Sequence, residues 1–211
     1  MNIEKFKRLP ILGILRGIDV ESIEPLVEAL ISAGLKTIEI TMNTRGAATL
    51  IAKAVAAGGR RITVGAGTVL SVKSLEIAFD AGAAFMVTPV LVEDVMKYCV
   101  KNKIPVFPGA LTPLEIYNAW NAGATMVKVF PSVFFGPKYL KEIKGPFNDI
   151  ELLACGGVTP ENMKEYFSSG ASAIAFGGSV FKRERLASKD FKSIEDAVKR
   201  YVTGFYKAEK Q

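Results

Sequence analysis

Apolar residues along this chain fall into two kinds of stretch. One kind is amphipathic and of helical length, as in "VESIEPLVEALISA" (20–33) and "EDVMKYCVKN" (93–102), where apolar positions recur every three or four residues. The other is a short, nearly unbroken apolar run rich in β-branched residues, the pattern of a strand covered on both faces. Eight such runs occur: "ILGILR", "TIEIT", "ITVGAG", "FMVTP", "IPVFPG", "MVKVFP", "ELLACGG" and "AIAFGG". Four of the helix-to-strand joints share one form, in "LISAGLKTIEIT", "AFDAGAAFMVTP", "AWNAGATMVKVFP" and "YFSSGASAIAFGG". In each, a glycine (Gly34, Gly82, Gly123 or Gly170) fits the left-handed position just past a helix C-terminus.

Strict strand–helix alternation, eight times, predicts an α/β fold: a closed (β/α)8 TIM barrel with right-handed crossovers, as one domain over residues 1–211. An open doubly wound sheet is the alternative. The even repetition and the absence of Gly-x-Gly-x-x-Gly after the first strand count against it. Only a brief helix fits before Pro10 to close the bottom of the barrel.

Composition narrows the chemistry. The chain has no histidine, which excludes a Ser-His-Asp triad, a histidine base and any His-containing metal site. Two cysteines, Cys99 and Cys155, are too few for a disulfide framework and lack zinc-site spacing. No metal or cofactor is implied. The net charge of +6 gathers in "FKRERLASKDFK" and "AVKRYVTGFYKAEK", where acidic residues interrupt it, so a solvated face is expected rather than a nucleic-acid surface. The opening "MNIEKFKRLPI" carries charge throughout, so neither a signal peptide nor a membrane span is expected, and a cytoplasmic location is the default.

In a barrel of this kind the active site lies at the C-terminal ends of the strands. Those ends carry Arg16, Glu39 with Asn43 just beyond, Gly65 to Thr68, Thr88 and Pro89, Pro108 and Gly109, Lys128, Cys155 to Gly157, and Gly177 to Ser179. The glycine pairs Gly156–Gly157 and Gly177–Gly178 follow the seventh and eighth strands, where such barrels bind phosphate. Glycine lets backbone N–H groups approach an anion closely. The plainer reading is that each pair makes a tight turn. Thr159 and Pro160 look like an N-cap and first-turn pair for the next helix.

Lys128 stands inside an apolar strand, and in a barrel it points inward. Burial disfavours an ammonium relative to the neutral amine, and a neutral amine is the nucleophile that forms a Schiff base with a ketone. Glu39, in a second apolar strand, is the best placed acid–base group. A purely structural Lys–Glu ion pair is the competing reading.

At these residues the sequence resembles the class I aldolases for 2-keto-3-deoxy-6-phosphogluconate and 4-hydroxy-2-oxoglutarate. The likeness runs through "IEITMNT", "VGAGTVL", "VTPVL", "IPVFPGALTPLE", "VKVFPS", "CGGVTPEN" and "FGGSVF", in order and over nearly the whole chain. It implies that Lys128 forms the Schiff base, that Glu39 is general acid and base, and that Thr68 holds the pyruvate carboxylate with Pro89 lining the pocket. It further implies that Gly157, Gly178 and Ser179 bind the phosphate, that Arg16 faces the same cavity, and that the protein is a homotrimer, with "SVFFGP" offering apolar residues to an interface. Asn43 stands where members tend to have arginine, which leaves Arg16 or Arg45 as the cation for a carboxylate. Cys155 stands in place of a hydroxyl near the aldehyde end.

The resulting expectation is an aldehyde-lyase with two partners, a keto acid and a phosphorylated aldehyde. It cleaves 2-keto-3-deoxy-6-phosphogluconate reversibly to pyruvate and glyceraldehyde 3-phosphate. The 6-phosphogalactonate epimer and 4-hydroxy-2-oxoglutarate are alternative substrates. A phosphosugar isomerase or epimerase, and a non-catalytic phospho-ligand barrel, are alternatives of other classes.

Overall fold

The computed structural model describes residues 1–209. Its strands are β1 (Ile11–Leu15), β2 (Thr37–Thr41), β3 (Thr63–Gly67), β4 (Met86–Thr88), β5 (Val106–Ala110), β6 (Val127–Val129), β7 (Leu152–Cys155) and β8 (Ala173–Phe176). The helices are α1 (Ile3–Lys7), α2 (Ile23–Ser32), α3 (Ala47–Gly58), α4 (Val72–Asp80), α5 (Glu93–Lys101), α6 (Pro113–Asn121), α7 (Gly136–Lys144), α8 (Met163–Ser168), α9 (Arg183–Ala187) and α10 (Phe191–Glu209). Each strand pairs in parallel with the next, and β8 pairs with β1, so the expected (β/α)8 barrel closes. Of the domain expected over 1–211, the last two residues lie outside the described ones. Among the described residues no helix is long and apolar enough to cross a membrane.

Local chemistry explains the element ends. Capping boxes start α4 (Ser71 with Ser74) and α6 (Thr112 with Glu115), each satisfying amides that have no intrahelical partner. The joint glycines take the left-handed backbone expected of them, with φ of 90° at Gly34, 97° at Gly82, 92° at Gly123 and 99° at Gly170. One expected start is corrected: α8 begins at Met163 with Asn162 as N-cap, and not at Thr159–Pro160. The Thr159 amide donates to Asn162 Oδ1 (2.8 Å) and the Asn162 amide to Thr159 Oγ1 (3.4 Å), so these side chains close a turn before the helix. The helix α1 is brief, as expected. Its Phe6 is buried against Phe107, with ring centroids 6.0 Å apart, and shares a cluster with Leu12, Phe85 and Leu153 at the lower end of the barrel.

Strand register decides which side chains meet. Following the paired residues around the ring from Ile14 leads back to Phe6, eight residues lower, the stagger of a TIM barrel. Inward residues of alternate strands therefore share a height. Glu39 (β2), Val87 (β4), Lys128 (β6) and Ala175 (β8) form one layer. Ile14, Gly67, Gly109 and Cys155 form the layer above it, and Leu12, Gly65, Phe107 and Leu153 the layer below.

The glycines in these layers are space already used by neighbours. A Cβ on Gly65 would lie 2.4 Å from the Phe85 ring, one on Gly67 would lie 2.2 Å from Glu39 Oε1, and one on Gly109 would lie 2.1 Å from the Pro89 carbonyl oxygen. In the layer directly above Glu39 and Lys128, Gly67 thus makes room for the Glu39 carboxyl and Gly109 for the Pro89 carbonyl.

Candidate active site

A cavity of about 430 Å³ opens at the C-terminal end of the barrel. Arg16, Thr68, Pro89, Lys128, Cys155, Gly156, Gly157, Gly177, Gly178 and Ser179 all line it. Asn43 does not: it is exposed beyond β2, outside the cavity wall. Arg45 is likewise exposed and off the wall, so the cation facing the cavity is Arg16. Thr88 points the other way, its hydroxyl donating to the Val90 carbonyl (2.6 Å), because its neighbours Val87 and Pro89 take the inward positions.

Lys128 is 7 % exposed, and its Nζ lies 5.3 Å from the Phe130 ring centroid, a favourable place for a cation. It also meets the Cys155 thiol. Burial pushes that thiol up to about 11, against the pull of Lys128, so Cys155 stays neutral at physiological pH. Glu39 lies just below the cavity and is 1 % exposed. Burial raises its carboxyl above the ordinary value of 4.5, with Lys128 and Arg16 opposing the shift from a distance. Its Oε2 is buried without a hydrogen-bond partner, and among the described residues no ion pair joins it to Lys128. A structural Lys–Glu pair is therefore not what these residues form.

The rest of the wall is built for anions. Gly156 (φ 95°) and Gly157 (φ 79°) are successive left-handed residues, a turn that no side-chain-bearing pair adopts cheaply. The amides of Gly157, Gly178 and Ser179 find no acceptor among the described residues. A Cβ on Gly178 would meet nothing, so its backbone is open to a ligand. Tyr201 of α10 holds the two loops together from behind. Its hydroxyl donates to the Val158 carbonyl (2.9 Å) and meets the Ser179 side chain, while its ring stacks on Phe176 at 4.4 Å.

On the opposite wall Thr68 holds φ 55°, a costly conformation for a β-branched residue that is tolerated where a site needs it. The Arg16 loop is tied down by Thr44, whose Oγ1 accepts from the Gly17 amide (3.1 Å) and contacts Thr41 Oγ1 (3.0 Å). Together the groups offer an amine nucleophile, a carboxyl whose hold on its proton is strengthened by burial, a cation and a set of open amides.

The family model for KDPG and KHG aldolases matches residues 3–197. The chain belongs to that family. It is 33% identical over 195 residues to the 2-dehydro-3-deoxy-6-phosphogalactonate aldolase of Escherichia coli (strain K12), covering 92% of this chain and 95% of that one. It is 32% identical over 200 residues to the 2-dehydro-3-deoxy-phosphogluconate aldolase of Pseudoalteromonas atlantica, covering 94% and 93%. A solved native KDPGal structure superposes with a TM-score of 0.90 at 32% identity, covering 97% of this chain and 98% of that one.

Within this aldolase barrel, Phe130 and Tyr201 shape the site without having been singled out in the sequence, and Gly67, named there only as part of a strand end, has a further role. Phe130 follows Lys128 by two positions, so strand alternation alone would have turned it inward. Gly67 makes room for Glu39, a role visible only once the register is known. Tyr201 comes from the last helix, and nothing in its local sequence connects it to the glycine loops.

Proposed function

We propose that the protein cleaves 2-keto-3-deoxy-6-phosphogluconate reversibly through a Schiff base on Lys128. The observation that carries this reading is a buried lysine at the floor of a cavity, facing an unpaired carboxyl of the same barrel layer and walled by two glycine loops with open amides. The Lys128 amine attacks the C2 carbonyl, and water leaves to give a protonated imine. Glu39, through a bridging water, takes the proton of the C4 hydroxyl. The C3–C4 bond then breaks, its electrons pass into the imine to form an enamine, and glyceraldehyde 3-phosphate departs. Glu39 returns the proton to C3, and hydrolysis of the imine releases pyruvate and the free amine. Arg16 and Thr68 bind the keto-acid carboxylate, with Pro89 against the carbon chain, and Gly157, Gly178 and Ser179 bind the phosphate.

A specific observation favours a second substrate, the 6-phosphogalactonate epimer: the E. coli relative at 33% identity is named for it. Cys155, a neutral thiol beside Lys128, replaces a hydroxyl that would sort hydroxyl patterns by hydrogen bonding, so cleavage of both epimers at comparable rates is in keeping with this wall. We further read the protein as a homotrimer. Val133, Phe134 and Phe135 are 56%, 76% and 56% exposed, and Leu114 is 68% exposed, an apolar set suited to burial against a second copy.

The deciding experiment is to incubate the protein with pyruvate, reduce with borohydride and map the adduct. The expected result is a reduced pyruvyl group on Lys128, absent in Lys128→Met, which also loses turnover while keeping its melting curve. Retained turnover in Lys128→Met would reject the mechanism. Rates on the two epimers and on 4-hydroxy-2-oxoglutarate then rank the substrates.

A further inference from the structure

The chain segment that follows the lysine strand touches the glycine loop through one buried hydroxyl. Ser132 is 1 % exposed and begins the 3-10 turn Ser132–Phe134 after β6. Its Oγ donates to the Val129 carbonyl (2.7 Å) and accepts from the Cys155 amide (3.1 Å). Val129 pairs with Ala154, so this carbonyl and this amide are the groups of the last rung of the parallel β6–β7 ladder. The serine hydroxyl, with one donor and spare lone pairs, stands at that rung and serves both.

The groups on either side are those of the site. Val129 follows Lys128, and Cys155 precedes Gly156. The turn that Ser132 anchors also packs on the glycine pair. A Cβ on Gly156 would lie 3.6 Å from Pro131, and one on Gly157 would lie 2.7 Å from Val133 Cβ. The Ser132 carbonyl in turn accepts from the Tyr166 hydroxyl of α8 (3.4 Å). Ser132 does not line the cavity.

We propose that Ser132 is a positioning residue that sets the distance between the Lys128 amine and the Gly156–Gly157 phosphate loop. The proposal rests on the Schiff-base reading above. Each half of the site keeps its own supports without the hydroxyl: Lys128 stays in its strand opposite Glu39, and the glycine loop keeps Tyr201. What is lost is their mutual placement, which matters only for a substrate that spans both.

The test is Ser132→Ala, read three ways: kcat/KM for 2-keto-3-deoxy-6-phosphogluconate, the rate of borohydride trapping with pyruvate, and the melting curve. The expected result is a fall in kcat/KM of about tenfold or more, since misplacement of about 1 Å can cost about 10²-fold, with the trapping rate within about twofold of the unmodified protein. If Ser132→Ala does not fold, Ser132→Cys keeps the volume and weakens both hydrogen bonds, and it carries the same expected split. Unchanged kcat/KM, or an equal loss of cleavage and trapping, overturns the positioning role. Failure of the unmodified protein to trap pyruvate would overturn the Schiff-base reading itself, and this role with it.

Discussion

Gly67→Ala tests whether the place of Glu39, and not merely its presence, governs turnover. Gly67 lies in β3 with an ordinary extended backbone, so alanine introduces no backbone strain, only a methyl group. That methyl would stand 2.2 Å from Glu39 Oε1 and 2.7 Å from its carboxyl carbon, where ordinary contact begins at 3.4 Å. The carboxyl must therefore retreat by about 1.2 Å, and burial on every side gives it no free rotation into water. A displacement of about 1 Å is worth about 10²-fold in a positioned proton transfer. The overpacking itself costs about 1–3 kcal/mol, seen as a fall in Tm of about 2–4 °C per kcal/mol for a chain of this size. Pyruvate release coupled to lactate dehydrogenase measures kcat, and borohydride trapping checks the lysine separately. Expected are a kcat lowered by about two orders of magnitude and trapping retained. A folded Gly67→Ala protein with kcat within about twofold of the original would show that Glu39 does not need this position, and the reasoning would fail.

The raised carboxyl of Glu39 makes a stability prediction with a definite sign. A group whose folded pKa lies above its unfolded value of 4.5 favours the folded state most below 4.5, and that contribution is lost as pH rises through the folded value. Glu39→Gln should thus gain denaturant midpoint over the original protein as pH rises from 4 to 8 while losing turnover; a pH-independent difference would contradict the burial argument. For the assembly, light scattering should give three times the chain mass of 22.8 kDa, and Phe134→Asp, which puts a charge into the apolar set, should shift it toward monomer. A monomeric original protein would remove the interface reading.

Much of the barrel was legible because each strand is covered on both faces. That requirement produces the apolar runs, and the joint glycines mark where four of them begin. The strand ends also named nearly the whole cavity wall, since inward and outward positions alternate from Lys128, Pro89 and Cys155 without knowledge of neighbours. Asn43 was misplaced for a physical reason: it lies beyond the last paired residue of β2, where alternation no longer fixes direction, and the loop turns it to solvent while Thr44 is drawn in to hold Gly17. The start of α8 was missed because Thr159–Pro160 carries a genuine N-terminal signature, and reciprocal side-chain bonds with Asn162 use it for a turn instead. Tyr201 and Ser132 were beyond reach, since their roles depend on contacts across the fold that local pattern does not encode.

The separation of Glu39 from Lys128 follows from the same geometry. Their strands, β2 and β6, are four apart in a ring of eight, so the side chains extend from opposite walls of one layer. A direct ion pair would lower the cost of burying both charges, but it would also occupy both the amine and the carboxyl. Keeping them apart lets burial raise the Glu39 pKa with only partial opposition from Lys128 and Arg16, so the carboxyl holds a proton more readily than a solvated one. In the layer above Glu39 and Lys128, Gly67 leaves the room that the Glu39 carboxyl takes, while Lys128 reaches the cavity wall. A chain without histidine thus obtains acid–base chemistry from where the barrel register places an ordinary glutamate.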